Sequence, residues 1–581
     1  MLFSNKIGKL QIMKQILFVL IGIVTLLATG CRKLDVPIQS QYTPANFPTT
    51  AADYAAAIGP VYTQLAFSSA GTRYAVEYWR MQELSTEEAI IPARNGNYDD
   101  GGQYRDLHRH TWTADHTNVT TVWAWGFSGI DQCNSLLNVF SNAPNSPTKP
   151  AALAELRAMR DLFYFFMLDL YGNLPIIDTF PVLGSPATKP RAQVFAFLEN
   201  DLKSILPALN TTVNGSSYGR ATKYLAFALL EKMYLNAEVY TGTPRYTDAV
   251  AMADSILING PYSLDASYGS VFAPTNGPGV KETIFAIPYD PELIPGNQFT
   301  RYGFASYVYP LYNLPTAGSV AMSTDSGFYH SNFVLPGDIR DTFWLRGPQN
   351  YFPNQAINTA LYPSAILPVL NNLYPAAIYP ASYPQLYAGY TSGTLPGVLY
   401  YIPSASLAFW HVTYTDSLVL KGDPANMDVG DDIFAQCMGI RSKKYYPDPN
   451  ENPATQNQGN DVPVFRLADV LLMKAEALLR GGIPSTTVKG EVQTPVVLVN
   501  KVRARVSAQL ATNVTVDSLL PERAREFAWE GWRRNDLIRF GQFEGAWGFK
   551  QPDPGNAFRR LYPVPNTELS LNPNLTQNPG Y

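Results

Sequence analysis

The chain has 581 residues, of which 46% are hydrophobic and only 15% are Asp, Glu, Lys or Arg. This composition supports a large core and excludes wholesale disorder, and a formal net charge of −4 offers no basic footprint, so we exclude nucleic acid as a partner. A chain with few charges, 36 tyrosines and 46 prolines suits neutral, flat-faced ligands such as sugars, or a protein partner.

The first predicted element is a signal peptide that ends before a lipidated cysteine. Residues 16–28 form an apolar run that is shorter than the roughly 20 residues needed to span a bilayer. Lys14 precedes this run, and the true start is Met1 or Met13. The small residues before Cys31 are similar to a bacterial lipobox, which predicts acylation of Cys31 and a membrane anchor that does not span the bilayer. A plain secreted protein cut nearby is the alternative.

Two further cysteines remain once Cys31 is assigned to the anchor. Cys133 and Cys437 are far apart in the sequence, and an oxidising compartment would permit a single disulfide between them. Two isolated buried thiols are the favoured interpretation.

Helical periodicity appears in five segments. The first four, in which apolar residues recur every three or four positions, are 156–171, 226–237, 249–257 and 464–479. A fifth helix is predicted from Pro521, a favourable first-turn residue, to about Arg534. The pair 219–239 and 246–258, joined by a short turn, predicts a helical hairpin of about tetratricopeptide size.

The region between about 268 and 462 loses this periodicity and gains Pro, Gly and short β-like runs such as 283–287. Within it, 347–415 holds 69 consecutive residues without one Asp, Glu, Lys or Arg. Because the stretch has many prolines and no run of about 18 apolar residues, it predicts a neutral, loop-rich excursion and no membrane span.

The sequence therefore predicts a mainly α fold, a helical scaffold with a large irregular insertion that contains short strands. The expected parts are a signal peptide at 1–30, an N-terminal helical part at 31–265, a variable insertion at 266–462 and a C-terminal helical part at 463–581.

One pattern is typical of hydrolases. Residues 215–219 read G-x-S-x-G with Ser217 at the nucleophile position, but the motif needs a buried strand before it and polar, turn-like residues precede it here. The favoured interpretation is a loop that leads into a helix at Ala221.

Three histidines lie close together in the sequence. His108, His110 and His116 could ligate a metal, but no fourth ligand of suitable spacing is obvious, so local hydrogen bonds and packing by Trp112 are favoured. We predict no metal site.

The carboxylates between 522 and 536 alternate with arginines along one helix, which favours ion pairing over a glycosidase acid pair. No phosphate loop, H-E-x-x-H or Rossmann fingerprint is present in the sequence, so we predict no enzyme and no cofactor.

Several segments match, in order, the motifs of one known family. They are Cys31 to Pro37, Glu155 to Pro175, Gly219 to Lys223, Arg466 to Ala477, 500–505, 522–537 and the tail 563–581. Through them the chain resembles the SusD/RagB-like lipoproteins of Bacteroidetes, which are outer-membrane nutrient-binding proteins.

The resemblance implies a fold of four tetratricopeptide-like helix pairs with irregular loops on the ligand side. It also implies that the protein has no catalytic activity, caps a SusC-like TonB-dependent transporter and delivers a glycan or oligosaccharide to it. The expected location is the outer membrane, through a lipid at Cys31, facing the cell exterior.

Two stretches offer the aromatic rings and planar polar side chains with which proteins bind sugars. The first, 83–104, resembles the family's ligand loop, with Tyr98 where Trp is frequent; a solvated loop is the alternative. The second, 302–410, also contains aromatic candidates, for which core packing is the alternative. The predicted ligand-binding residues are Glu88, Arg94, Asn97, Tyr98, Asp99, Tyr104, Tyr309 and Trp344.

Four functions remain open from the sequence. Non-catalytic glycan binding is favoured over peptide binding by a member of the same family. A mainly structural role, in which 347–415 contacts the transporter, is the third, and a hydrolase that uses Ser217 is the fourth.

Overall fold

The computed structural model describes residues 47–68, 70–304, 312–351, 397–402, 407–431 and 433–581. The predicted signal peptide, Cys31, Tyr309 and most of 347–415 therefore lie outside the described residues. Within the described ranges, no helix combines the length and apolar character needed to cross a membrane.

The described part of the chain is mainly α-helical, as predicted. Before the insertion lie α1 Ala51–Ala66, α2 Trp79–Glu83, α3 Gln103–Arg109, α4 Thr117–Asn142, α5 Lys149–Leu170, α6 Arg191–Ile205, α7 Lys223–Leu235, α8 Ala237–Thr241 and α9 Tyr246–Asn259. Within it lie α10 Phe299–Gly303, α11 Ser326–Asn332 and α12 Ile433–Gln436. After it follow α13 Leu467–Arg480, α14 Pro495–Arg505, α15 Val516–Phe527, α16 Arg533–Arg539 and α17 Asn566–Leu571.

The strands are short. They are β1 Leu174–Pro175, β2 Thr188–Lys189, β3 Thr283–Ile287, β4 Trp344–Leu345, β5 Gly347–Tyr351, β6 Gly397–Ile402, β7 Leu407–Tyr414, β8 Arg441–Ser442, β9 Val462–Arg466, β10 Thr486–Val488 and β11 Glu491–Gln493. All described pairs are antiparallel: β1–β2, β3–β9, β4–β8, β10–β11 and the sheet ordered β5-β7-β6.

Helix α5 contains the apolar stripe predicted at 156–171, and it packs against α4. The two helices approach closely because two glycines of α4 face large side chains of α5. A Cβ at Gly126 would lie 2.2 Å from Sδ of Met167, and one at Gly129 would lie 2.5 Å from the ring of Phe163. Since non-bonded contacts this short are essentially never seen, any larger residue at either position would force Met167 or Phe163 to move within the core.

The predicted hairpin is confirmed as α7 and α9, which pack against each other, and α9 also packs on α13. The scaffold therefore joins helices from both sides of the insertion. The helix predicted at 464–479 begins only at Leu467, because residues 462–466 are taken up by β9, which pairs with β3.

The fifth helix differs from its prediction. It begins at Val516, five residues before Pro521, because Thr515 and Ser518 form a capping box at its start. It ends at Phe527, since Trp529 adopts a φ of +64° and Gly531 one of +82°. Residues 533–539 then form the separate helix α16.

The insertion is closed at its base by β3 and β9, whose register runs from Thr283 opposite Arg466 to Ile287 opposite Val462. The neutral stretch is less irregular than predicted where it is described, because its ends form the sheet β5-β7-β6. The division into parts at 265 and 462 stays a prediction.

The ion pairing predicted for 522–539 is confirmed in the interior by Arg525, which contacts Glu522 at 2.7 Å, and by Arg523, which contacts Asp536 at 2.8 Å. The network also includes arginines from outside this segment. The guanidinium of Arg340 contacts Glu522 and Glu526, each at 2.9 Å. Arg466 contacts Glu526 at 2.6 Å and Glu530 at 2.7 Å, and the side chains of these two arginines and their three glutamates are almost fully buried. Burial acts to raise the pKa of Glu522, but the charges of Arg340, Arg525 and Arg503 lower it to about 2, so the carboxylate stays ionised in the core.

Cys133 and Cys437 are both buried thiols and are not bonded to each other, as the favoured interpretation predicts. Burial raises the pKa of the Cys133 thiol, which makes it unreactive at neutral pH.

Candidate functional site

The candidate ligand loop begins with a tight turn over Arg94–Asn97. The backbone N–H of Arg94 donates to the carbonyl of Asn97 at 2.8 Å, and that of Asn97 donates back at 3.0 Å. The two central residues, Asn95 and Gly96, have φ of +51° and +90°. This is the geometry of a type I′ turn, which the Asn-Gly pair favours.

The turn is tied to a distant segment of the insertion. Ala93 forms a β-bridge with Asp428, and the Asp428 carboxylate accepts from the backbone N–H of Asn95 at 2.9 Å. The Asn97 amide donates to Asp431 at 3.4 Å while the side chain stays exposed. The backbone of the turn is therefore fixed by the segment around Asp428, while the Asn97 side chain remains exposed to solvent.

Tyr98 follows the turn and is half-buried, with a φ of +59°. Its hydroxyl donates to the carbonyl of Ser319, which orients the ring. Burial raises the pKa of this phenol, so the group remains a neutral hydroxyl. A tyrosine held in this way can present part of its ring to a ligand.

Asp99 is the next candidate, and 40% of its side chain is exposed. Its carboxylate accepts from Nη1 of Arg105 at 2.9 Å, and the same nitrogen donates to the carbonyl of Asn426 at 3.2 Å. Asp99 therefore carries a partly neutralised charge at the rim of the loop.

Tyr104 was predicted as a ligand contact, but its side chain is buried and does not reach the surface of the loop. The guanidinium of Arg80 lies 5.0 Å from the centre of the Tyr104 ring and 5.3 Å from that of Tyr302. Burial raises the pKa of Tyr104 to about 12. Tyr302 is half-buried and was not among the predicted residues; its only sequence signal is its place at the start of the aromatic stretch 302–410.

Two predicted contacts are corrected because their side chains are buried. Arg94 is fully buried and donates to the carbonyl of Ala435 at 2.5 Å, and burial lowers its pKa to about 9. Glu88 is 1% exposed and accepts from the backbone N–H of Trp529. Both residues hold the loop in place and do not reach its surface.

Glu88 also faces a second buried carboxyl, that of Glu83, which accepts from the backbone N–H of Gly531 at 2.6 Å. Burial raises the pKa of Glu83 to about 8, and burial together with the charge of Glu83 raises that of Glu88. The pair supports the strained segment at Trp529 from within the core.

Trp344, like Glu88, Arg94 and Tyr104, is corrected because its side chain is buried. It is 7% exposed and lies in an aromatic cluster, with ring centres 5.1 Å from Phe333, 6.1 Å from Tyr329 and 6.3 Å from Phe328. Core packing, the alternative stated for this stretch, is therefore its role. The remaining candidate there, Tyr309, lies outside the described residues.

The hydrolase-like motif lies in a loop, as favoured. Ser217 accepts from the backbone N–H of Asn214 at 2.9 Å and donates to the carbonyl of the same residue at 3.1 Å. This hydroxyl closes a turn, and the following helix begins at Lys223, two residues later than predicted.

The histidines have structural roles. His110 lies 5.1 Å from Trp112, ring centre to ring centre, and its Nε2 lies 2.9 Å from the carbonyl of Ser85. His116 caps α4 by accepting from the backbone N–H of Asn118 at 3.2 Å. Burial lowers the pKa of His108 to about 3. Among the described residues, no group of three or more His, Cys, Asp or Glu side chains is placed to hold a metal ion.

Comparison with known proteins gives a consistent result over most of the chain. The model of the SusD family matches residues 386–581. The chain is 26% identical over 534 residues to the starch-binding protein SusD of Bacteroides thetaiotaomicron, and the match covers 86% of this chain and 84% of that protein.

The fold is similar to those of solved structures. A SusD superfamily protein from Parabacteroides distasonis gives a TM-score of 0.65 at 18% identity, covering 92% of this chain and 100% of that chain. The surface glycan-binding protein A from Bacteroides thetaiotaomicron in complex with laminarihexaose gives 0.62 at 17% identity, covering 91% and 100%. These likenesses confirm the predicted helical fold.

Proposed function

We propose that the chain is a member of the SusD family, to which it is similar, and that it is a non-catalytic protein that binds a neutral oligosaccharide at the cell surface. The ligand contacts are Asn97, Tyr98 and Asp99. The protein delivers its ligand to a SusC-like TonB-dependent transporter and is anchored in the outer membrane by a lipid on Cys31.

The observation that carries this proposal is the construction of the turn 94–97 and the residues after it. Asn97 is exposed and Tyr98 is half-buried, while the backbone beneath them is fixed by paired hydrogen bonds and by Asp428. An amide can exchange hydrogen bonds with vicinal hydroxyls, and an aromatic ring can stack on the C–H face of a sugar. A surface that is already ordered loses little entropy when it binds.

The charges near the turn also favour a neutral ligand. The guanidinium of Arg105 already donates to the Asp99 carboxylate, and Arg94 is fully buried. A strongly anionic ligand would find no exposed guanidinium among these predicted residues. The relatives' names, starch-binding protein SusD and a glycan-binding protein in complex with laminarihexaose, support glucans as the first probes.

The experiment is calorimetric titration of the protein with maltoheptaose and laminarihexaose. We expect binding of at least one of them by the unmodified protein, and a loss of affinity of about tenfold or more in the double variant Asn97→Ala/Tyr98→Ala, since an aromatic contact and a hydrogen bond each contribute about 1 kcal/mol. Tyr98→Phe keeps the ring and should lose less.

The matched control is Asn142→Ala/Tyr246→Ala, which changes an exposed asparagine and a half-buried tyrosine on the helical scaffold. It should bind as the unmodified protein does. Tight binding of mixed peptides together with no binding of either glucan would favour the peptide-binding alternative and contradict the proposal.

A further inference from the structure

The turn 94–97 lies against residues 427–431, which belong to the part of the insertion that follows β7. The two backbones are paired just before the turn begins. The N–H of Ala93 donates to the carbonyl of Met427 at 3.1 Å, and the N–H of Val429 donates to the carbonyl of Ala93 at 2.9 Å. This contact is a short piece of parallel β pairing between the ligand loop and the insertion.

The side chain of Asp428 supports the backbone of the turn itself. Its Oδ1 accepts from the N–H of Gly430 at 2.7 Å and from the N–H of Asn95, 333 residues earlier in the chain, at 2.9 Å. Asn95 needs such a partner because its φ of +51° lies in the left-handed region, which is unfavourable for a residue with a Cβ. The conformation that the type I′ turn requires is therefore maintained in part by a residue of the insertion.

Asp431 acts on the side chain of Asn97. Its Oδ2 accepts from Nδ2 of Asn97 at 3.4 Å, while its Oδ1 and its carbonyl accept from Nε2 of Gln436 at 3.3 and 3.1 Å. Because an ionised carboxylate can only accept, the nitrogen of the Asn97 amide must face Asp431, and the amide oxygen points away from it. The exposed amide therefore offers its oxygen to a ligand hydroxyl.

The segment around Asp428 is also anchored by contacts outside the turn. Two arginines of α3 donate to three successive carbonyls just before it: Arg109 to those of Pro424 and Ala425, at 2.6 and 2.8 Å, and Arg105 to that of Asn426, at 3.2 Å. Its position therefore does not depend on the turn alone, and it can serve as a fixed support.

We propose that residues 427–431 are the positioning element of the saccharide surface, in which Asp428 holds the backbone of the turn and Asp431 sets the direction of the Asn97 amide. This inference rests on the proposed function, because Asn97 and Tyr98 are the contacts that the element positions. It makes ligand affinity depend on a segment of the insertion that supports the turn. Asp428 is a positioning residue and does not itself contact the sugar.

The test measures two quantities in the full protein. The first is the affinity for maltoheptaose and laminarihexaose, by calorimetric titration. The second is the rate of hydrogen exchange at the backbone amides of 94–98, by mass spectrometry. The variants are Asp428→Ala, which removes the acceptor, Asp428→Asn, which keeps an acceptor oxygen, and Asp431→Ala.

The matched control is Asp290→Ala. Like Asp428, Asp290 is half-buried, and its Oδ1 accepts from two backbone N–H groups, those of Glu292 and Leu293, at 2.9 and 2.8 Å. Both of its partners lie in its own loop, so it makes the same kind of contact without reaching the turn.

Asp428→Ala should weaken binding about tenfold and speed exchange in the turn by a similar factor, because a charge-assisted hydrogen bond is lost. Asp428→Asn should recover most of both, since its side-chain oxygen can accept the same N–H groups. Asp431→Ala should weaken binding about threefold, as expected for one weak hydrogen bond, and leave exchange unchanged. Asp290→Ala should change neither quantity. A purely structural role of Asp428 would lower the free energy of unfolding without changing the affinity of the folded protein.

Unchanged affinity or unchanged exchange in Asp428→Ala would overturn the inference, and so would equal losses in Asp428→Ala and Asp428→Asn. Failure of the proposed function gives a different result, because the unmodified protein then binds neither glucan. The exchange rates still decide in that case whether Asp428 holds the turn. Binding by the unmodified protein together with unchanged affinity in Asp428→Ala would leave the proposed function intact and reject the positioning element.

Discussion

The network around α15 and the turn at 94–97 are both polar, but they use polarity in opposite ways. In the network, Arg466 and Arg340 are buried and each contacts two or more carboxylates of Glu522, Glu526 and Glu530. At the turn, the groups that a ligand can reach include the exposed amide of Asn97, the half-buried ring of Tyr98 and the partly neutralised carboxylate of Asp99. The charges of the network are therefore inaccessible to a ligand.

The comparison explains how a chain with few charges can contain an arginine-rich segment. The arginines of the network are committed to buried carboxylates, so they stabilise the junction between the C-terminal helices and the insertion. In the proposed function, recognition is left to largely uncharged groups on a loop whose backbone is fixed by contacts with the insertion. Both regions depend on contacts between distant parts of the chain, and each can be disturbed separately.

The largest expected effect is that of Arg466→Met. It leaves Glu526, Glu530 and Glu282 buried beside fewer cations, and removal of one partner from a buried ion pair costs about 3–5 kcal/mol. Urea denaturation should show this loss in the free energy of unfolding. A loss of less than about 1 kcal/mol in the free energy of unfolding is what an exposed ion pair would give. That result would contradict a large contribution from the buried network.

The second prediction concerns the carboxyl pair that supports the segment at Trp529. In the folded protein the pKa of Glu83 is raised from 4.5 to about 8. Its contribution to the free energy of unfolding is therefore fully present when the pH is below about 4.5. That contribution is lost as pH rises through about 8. The free energy of unfolding should therefore fall between about pH 5 and pH 8, and more gently in Glu83→Gln. Equal slopes in the two proteins would contradict the assignment.

The third prediction separates the turn from the scaffold. Gly96→Ala meets no atom within 4 Å, so its cost comes only from a φ of +90°, about 1–2 kcal/mol. It should weaken oligosaccharide binding by loosening the turn. Gly279→Ala, at a position equally free of nearby atoms and without a left-handed φ, should leave both the fold and binding nearly unchanged. Unchanged affinity in Gly96→Ala would argue against the turn as the binding surface.

The smallest expected effect is that of Lys501→Met. Its partner Glu491 and Lys501 itself are 46% and 34% exposed, so the pair should contribute about 0–1 kcal/mol. Measured beside Arg466→Met in the same denaturation series, it sets the scale for exposed pairs. A loss as large as that of the buried variant would remove the distinction between the two kinds of ion pair.

The sequence predicts the scaffold well because its signals are local. The apolar stripes of α5, α7 and α9 and the Asn-Gly pair of the turn depend on neighbours a few residues away. It could not predict the burial of Glu88 and Arg94, whose partners Trp529 and Ala435 lie 441 and 341 residues further along. Side-chain type alone made them resemble ligand contacts.

The break between α15 and α16 was missed for a similar reason. Trp529 adopts a φ that its residue type disfavours, and it is held there by Glu88 and by Trp79, which donates to its carbonyl at 3.0 Å. Such a tertiary constraint overrides the helical pattern of the sequence.

The most direct test of the central claim is a crystal structure of the protein with the glucan that binds it best in solution. The account predicts a sugar ring on Tyr98, with hydroxyl groups hydrogen-bonded to the amide of Asn97 and the carboxylate of Asp99. A glucan bound elsewhere, with the surface at Tyr98 left unliganded, would contradict it.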